Sequence, residues 1–278
     1  ISNPNYQNSY KNLDLSLEAT SIDKLGTSGY KSNITGFGVG TNFEYLDDLR
    51  FGLASRNTIE NISVNSNASD KQKKQDGNYF DSLINFDFFY DKRNQRYQTT
   101  SGFFSNYSVD VPIISDTNTL TNTYNYKLFK ELYENNVSTF SFLFKGASSL
   151  TGDDIKLSER LYVPGRKLRG FETGKIGPKD GNDYIGGNYL SIINATTTLP
   201  KILENVQGVD IVMFADAANI WGVDYDSSLD EGGIRSSIGL GLDWLTPIGP
   251  LTFSFAQPIT KESSDIEETF RFNIGTSF

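Results

Sequence analysis

A strict two-residue rhythm near the end of the chain constrains its fold more than any other feature. Ile234, Ser236, Ile238, Leu240, Leu242 and Trp244 alternate with Arg235, Ser237, Gly239, Gly241 and Asp243. One face is almost wholly apolar, and the other is polar or lacks a side chain. That is the period of a strand, not of a helix. After the tight segment Thr246-Pro247-Ile248-Gly249-Pro250, Leu251, Phe253 and Phe255 alternate with Thr252, Ser254 and Ala256. Beyond the polar stretch Lys261 to Glu268, Phe270, Phe272, Ile274 and Phe278 share one face, opposite Arg271, Asn273, Gly275 and Ser277.

The rhythm recurs further back. Leu13, Leu15 and Leu17 alternate with Asp14, Ser16 and Glu18, and Leu49, Phe51 and Leu53 with Arg50, Gly52 and Ala54. Ile84, Phe86, Phe88 and Tyr90 oppose Asn85, Asp87 and Asp91; Phe140, Phe142 and Phe144 oppose Ser141 and Lys145. Weaker alternation marks strands around 29–40, 101–113, 119–132, 187–199 and 208–221, giving about twelve strands, with residues 1–6 as the stub of another. Long polar segments (61–78, 148–186, 222–232) alternate with shorter ones (92–100, 246–250), the pattern of long extracellular loops and short periplasmic turns. Segment 148–186 is long enough that a compact barrel would keep it only for a function or leave it disordered.

Composition separates membrane from soluble readings of these strands. Hydrophobic residues make up 37% of the 278 residues, mean hydropathy is -0.40, and no run of about 18 apolar residues is present to form a membrane helix. A barrel strand shows lipid only at every second residue, so its average looks soluble. A soluble β-sandwich or lipocalin-like barrel also alternates, but its strands are topped up with Val, Leu and Ile. Here the second face is repeatedly Gly, Ser, Asn, Asp and Arg. The chain is rich in Phe (20) and Tyr (15), as strands and interfacial girdles are. The sequence therefore predicts an all-β fold, an antiparallel transmembrane β-barrel spanning residues 1–278, with segment 148–186 as its long loop.

A net charge of -9 argues against nucleic acid as a partner. The chain has no Cys and no His, so thiolate chemistry is excluded, the commonest general base and zinc ligand is missing, and no catalytic residue, metal site or cofactor is assigned. Asp153-Asp154 and the Asp87/Asp91 pair read as solvated acidic clusters.

The long segment contains Leu168-Arg169-Gly170-Phe171, followed by Ile176-Gly177-Pro178 and Gly186-Gly187-Asn188. Further on come Phe214-x-Asp216, Asp243-Trp244-x-x-Pro247-x-Gly249-Pro250-Leu251-x-Phe253-x-x-Ala256-x-Pro258 and the ending Phe270-x-Phe272-x-Ile274-Gly275-x-x-Phe278. In this order the motifs resemble the bacterial surface antigen family of outer-membrane protein assembly factors, over essentially the whole chain and most specifically from Tyr162 onward. The family carries a (Val/Ile/Leu)-Arg-Gly-Phe motif in a long loop folded into the barrel lumen. On parity alone, if Ile211 and Met213 face lipid, then Val212, Phe214 and Asp216 face the lumen. Arg169 would need a partner there, and Asp216 can supply a bidentate one. Gly170 would permit a close backbone turn, and Phe171 would fill an apolar pocket. Departures from the family are Ala218 where it has Gly after Phe-x-Asp-x, Thr196 where it often has Glu, and Thr99 before Thr100 where it commonly has Pro.

The resemblance implies insertion of β-barrel proteins into the bacterial outer membrane, without nucleotide or cofactor. Implied partners are unfolded outer-membrane proteins, assembly-complex lipoproteins and outer-membrane lipid. Phe270, Phe272, Ile274, Gly275 and Phe278 match the family's terminal-strand recognition signal. An edge strand is also a template for adding another strand on physical grounds alone. Family members have periplasmic POTRA domains and about sixteen strands. The chain begins at Ile1, shows no POTRA-like region and has roughly four strands fewer, so it reads as an amino-terminally truncated piece. A related TamA-like or two-partner secretion translocator, and a passive porin, are the alternatives.

Overall fold

The computed structural model describes residues 1–133, 136–200, 208–246 and 249–275. Thirteen strands form one sheet: β1 (Ser2–Asn3), β2 (Leu13–Lys24), β3 (Tyr30–Leu46), β4 (Leu49–Val64), β5 (Gly77–Asp91), β6 (Gly102–Ser115), β7 (Thr119–Tyr133), β8 (Asn136–Ser149), β9 (Tyr189–Thr198), β10 (Val209–Trp221), β11 (Arg235–Thr246), β12 (Gly249–Thr260) and β13 (Phe270–Ile274). Every strand pairs antiparallel with its neighbours in chain order. Twelve are full strands and β1 is a two-residue stub paired with Leu13 and Asp14. No described helix is long and apolar enough to cross a membrane.

The alternation in sequence becomes two chemically opposite faces. On β11 and β12, Ile238, Leu240, Trp244 and Phe255 are exposed while Ser237, Ser254 and Ala256 are buried. On β13, Phe270, Phe272 and Ile274 point outward and Arg271 is buried. Leu15 and Leu17 show the same outward aspect on β2. An outer surface of Leu, Ile and Phe over a polar inner one is the arrangement that lipid outside and water or polar protein inside would select. The weaker segments are strands too, and most run longer than their patterns suggest.

The sheet curls around the long connection between β8 and β9, residues 150–188. Near its start, the Lys156 Nζ donates to Glu60 on β4 and Asp81 on β5. Further along, the carbonyls of Gly165 and Phe171 accept from Arg271 on β13. One segment thus touches strands near both ends of the sheet. Tyr184 repeats the bridge at the loop end, its N–H donating to Thr27 and its hydroxyl to Ser264.

Two connections differ from the sequence reading. Segment 61–78 is not loop throughout: β4 continues to Val64 and β5 starts at Gly77, leaving a turn that holds the short helix Asp70–Lys73. Ser69 caps that helix through a reciprocal box with Gln72. The β6–β7 connection is only 116–118 although it lies on the long-loop side. Pro247, Ile248 and the final Phe278, all used in the sequence reading, lie outside the described residues.

The outward face yields a direct prediction. Leu240→Arg should lower the unfolding free energy in bilayers by about 2–4 kcal/mol if its site is near the midplane. An inward substitution on the same strand, Ser236's neighbour Ser237→Thr, should change it far less. Urea unfolding in liposomes, followed by tryptophan fluorescence, measures both.

Candidate functional site: a loop held inside the barrel

The site is built on β10, whose inward residues Val212, Phe214, Asp216 and Ala218 are all buried. Met213, between them in sequence, is 50% exposed, so the parity of the strand alone decides which side chains meet the loop. Register then sets the neighbours: Asp216 lies opposite Asn194 on β9 and Ser237 on β11.

Arg169 meets Asp216 in a bidentate pair. Its Nε donates to Oδ2 and its Nη2 to Oδ1, both at 2.7 Å. The Arg169 backbone N–H adds a contact to Oδ2 at 3.2 Å, and Asn194 Nδ2 donates to Oδ1 at 2.8 Å. The carboxylate is completely buried and the guanidinium largely so. The same guanidinium lies 3.4 Å from the centroid of the Phe214 ring, a cation–π contact that is stronger when desolvated. Asn194 also donates to the Lys167 carbonyl, and Ser237 to the Arg169 carbonyl. The backbone on both sides of the arginine is therefore fixed.

Gly170 and Phe171 complete the turn. Gly170 has φ +93°, and a Cβ there would sit 3.2 Å from Ser237 Cβ and 3.3 Å from Ala256 Cβ. The dihedral favours glycine, and a Cβ would force these neighbours to give by a few tenths of an ångström. Gly170 and Phe171 pair with Glu268 and Glu267 of the β12–β13 connection. Phe171 is buried in a cluster that includes Leu143, Leu168, Leu190, Ile192 and Ile220. Ala218, where the family has Gly, belongs to the same cluster, so its methyl group contributes to packing.

Sequence reasoning missed several partners. Asn194, not Thr196, stands beside Asp216, because register places Thr196 opposite Phe214. Arg271, read only as the polar side of β13, reaches loop carbonyls and Glu268. Arg235 is buried against Asp265 and Glu231, and Arg160 against Asp224. Lys156 is enclosed by Glu60, Asp81 and Glu159. Burial by itself would lower the Lys156 pKa, but Glu159, Asp81 and Glu60 outweigh it and hold it above the usual lysine range. Burial pushes the Glu159 carboxyl up, and Lys156 and Thr119 pull it back only in part.

The terminal-strand residues occupy a different place. Phe270 and Phe272 stack on Phe255 and Phe253, ring centroids 4.8 Å apart in each pair, on the outward face. Gly275 (φ +102°) follows β13, its N–H donating to the Pro250 carbonyl. These residues do not meet the Arg169 site; Arg271 is the link between the two.

This is an outer-membrane β-barrel fold, with residues of its long connection hydrogen-bonded to buried side chains of the strands. The Omp85 superfamily domain matches residues 1–278, and the chain belongs to that superfamily. It is 30% identical over 174 residues to the outer membrane protein assembly factor BamA of Neisseria meningitidis serogroup B, covering 50% of this chain and 22% of the relative. To BamA of Neorickettsia risticii it is 23% identical over 259 residues, covering 90% and 34%. A SAM50-like protein of Schizosaccharomyces pombe is 31% identical over 141 residues, covering 47% and 29%. The crystal structure of BamA from Haemophilus ducreyi lacking POTRA domains 1–3 superposes with a TM-score of 0.89 at 22% identity, covering 98% of this chain and 60% of that one. The chain thus spans about a third or less of the length of these curated relatives.

Two predictions follow from the buried charges. Asp216→Ala strands a desolvated guanidinium and should weaken loop docking by about 3–5 kcal/mol. The exchange Arg169→Asp with Asp216→Arg should recover part of that loss. Protease accessibility of residues 150–188 reads both, and no recovery in the exchange would argue against direct pairing. The raised Glu159 pKa gives a pH dependence. Between its ordinary value of 4.5 and the raised one, the docked loop holds more proton than the undocked loop. Docking therefore tightens as pH falls through that window and loosens as pH rises. Glu159→Gln should remove this component of the slope.

Proposed function

We propose that this chain is the membrane-embedded barrel of an outer-membrane protein assembly factor, which inserts β-barrel proteins by offering a strand edge to them. The observation that carries the reading is the Arg169–Asp216 pair under the Leu168-Arg169-Gly170-Phe171 turn. A passive porin needs a constriction lined with charges facing the permeating solute. Here Lys156 and Arg169 of the loop are paired with buried carboxylates instead. The names of the relatives, assembly factors among them, support the same reading.

The mechanism needs no nucleotide. In this scheme the outer edge of β13 is exposed when the seam between the first and last strands of the barrel opens. A client strand adds there by backbone hydrogen bonding, so its N–H and C=O groups stay paired while it enters hydrocarbon, where each unpaired group costs several kcal/mol. The latch keeps the long loop registered against β10 while β13 moves. Arg271, which joins β13 to the Phe171 carbonyl, couples the edge to the loop. Partners on this reading are unfolded outer-membrane proteins, assembly-complex lipoproteins and outer-membrane lipid. The residues assigned are Arg169, Gly170, Phe171, Phe214 and Asp216 for the latch, and Phe270, Phe272, Ile274, Gly275 and Phe278 for the terminal strand.

Depletion of the protein in its host should lower the folded amounts of many unrelated outer-membrane barrels together, scored by their heat-modifiable migration. Loss of solute uptake with other barrels intact would make it a porin. A defect confined to one secreted or autotransported protein would make it a translocator.

A further inference from the structure

The outward face is not uniformly convex. Across β7 to β12 it is indented by a groove of about 910 Å³. One cross-strand row explains the indentation: Phe140, Ala195, Ala215 and Ile238 lie directly opposite one another on β8, β9, β10 and β11. The two alanines form a floor between larger side chains. The neighbouring row runs Lys130, Ser138, Thr197, Met213, Leu240 and Phe255, from β7 to β12.

This second row has polarity along its length. Lys130 is exposed, and it faces outward with Leu128 and Leu132. The Ser138 and Thr197 hydroxyls are hydrogen-bonded to each other at 2.8 Å beside it. The other end is Met213, Leu240 and Phe255, all at least half exposed. The row also climbs. Lys130 lies three residues before β7 ends at Tyr133, whereas Leu240 lies six before β11 ends at Thr246. Both strands end at the short-turn, periplasmic side. With neighbouring strands about 4.8 Å apart, the row rises from the membrane interface at Lys130 into hydrocarbon at Leu240. Lys130 forms no ion pair with another described residue.

We infer that this groove is a binding site for one phosphate-bearing diacyl lipid of the periplasmic leaflet. Its phosphate sits at Lys130 with the Ser138–Thr197 hydroxyl pair, and an acyl chain lies over Ala195 and Ala215 against Met213 and Leu240. Charge and depth both select this occupant. A cation at the interface pairs with an anionic headgroup without leaving water, and the ascending apolar row begins where that headgroup would be. A bulk annular lipid would instead exchange over the whole outward face with no preference for this row. The site depends only on the chain lying in the outer membrane, and not on the assembly reading.

The test uses the native protein that contains this chain, reconstituted in phosphatidylcholine nanodiscs doped with phosphatidylglycerol carrying a photoreactive acyl chain. Irradiation should label peptides holding Met213 and Leu240 about fivefold above the equally lipid-facing Leu15–Leu17 peptide, the ratio that one cation near an anionic headgroup confers. Lys130→Gln should abolish that excess and Lys130→Arg should keep it, while Ala215→Leu should reduce it by filling the floor. All three changes lie on the lipid face, and heat-modifiable migration verifies folding. Even labelling of the outward face, or an excess indifferent to Lys130, would overturn the site. Equal enrichment from photoreactive phosphatidylcholine would overturn the headgroup assignment. With p-benzoylphenylalanine replacing Ala215 in cells, a lipid adduct supports the proposal, and a protein adduct would give the groove to a partner instead.

Discussion

A polypeptide in hydrocarbon has no water to satisfy its backbone, so every N–H and C=O there needs a partner in the chain. Antiparallel pairing meets that demand on both sides of each strand from β3 to β12. Its consequence is the two-residue rhythm: once the backbone is committed to strands, side chains have only two directions, and lipid claims one of them. The outward face can then be read from residues such as Leu240 and Phe255, and the inward face is left with Ser237, Ser254 and Asp216. These polar groups pack poorly on one another. Some other element has to fill the space they enclose.

The long loop fills it, and the chemistry of the filling follows from that inward face. Apolar packing alone would leave inward carboxylates without partners, a cost of several kcal/mol each. The loop supplies Lys156 to Glu60 and Asp81, and Arg169 to Asp216. Apolar residues sit beside each cation: Leu157 packs with Tyr30 and Ile62 near the first, and Leu168 and Phe171 lie in the larger cluster near the second. Each anchor therefore combines a desolvated charge pair, which fixes register, with a hydrophobic contact, which supplies most of the favourable burial.

Strand positions were legible in the sequence because alternation is local: Ile234 to Trp244 carries its own evidence. The Arg169–Asp216 pairing was reachable because strand parity and the motif resemblance together aim both groups inward. Lys156 gave no such signal. Its partners lie 96 and 75 residues away, on strands that it meets only because the sheet curls, and curvature leaves no mark at any single position. Asn194 was missed for a related reason. Thr196 and Asn194 share a face, and only the β9–β10 register decides which of them stands opposite Asp216. Strand parity cannot separate registers that differ by two residues, because both keep the same faces inward.

Thr196 lies opposite Phe214, so the position beside Asp216 belongs to Asn194. A second carboxylate next to Asp216 would place two buried anions against one guanidinium, and one of them would lack a counter-charge. Asn194 instead brings an amide that donates to both Asp216 and the Lys167 carbonyl. The Phe214 ring covers the open face of the guanidinium, and Ala218 fills space beside Phe171 that a glycine would leave empty. At this anchor a single bidentate pair, and not a cluster of carboxylates, meets the arginine. Its grip therefore rests on hydrogen-bond geometry and packing, and is less exposed to screening by salt than a set of partly solvated charges would be.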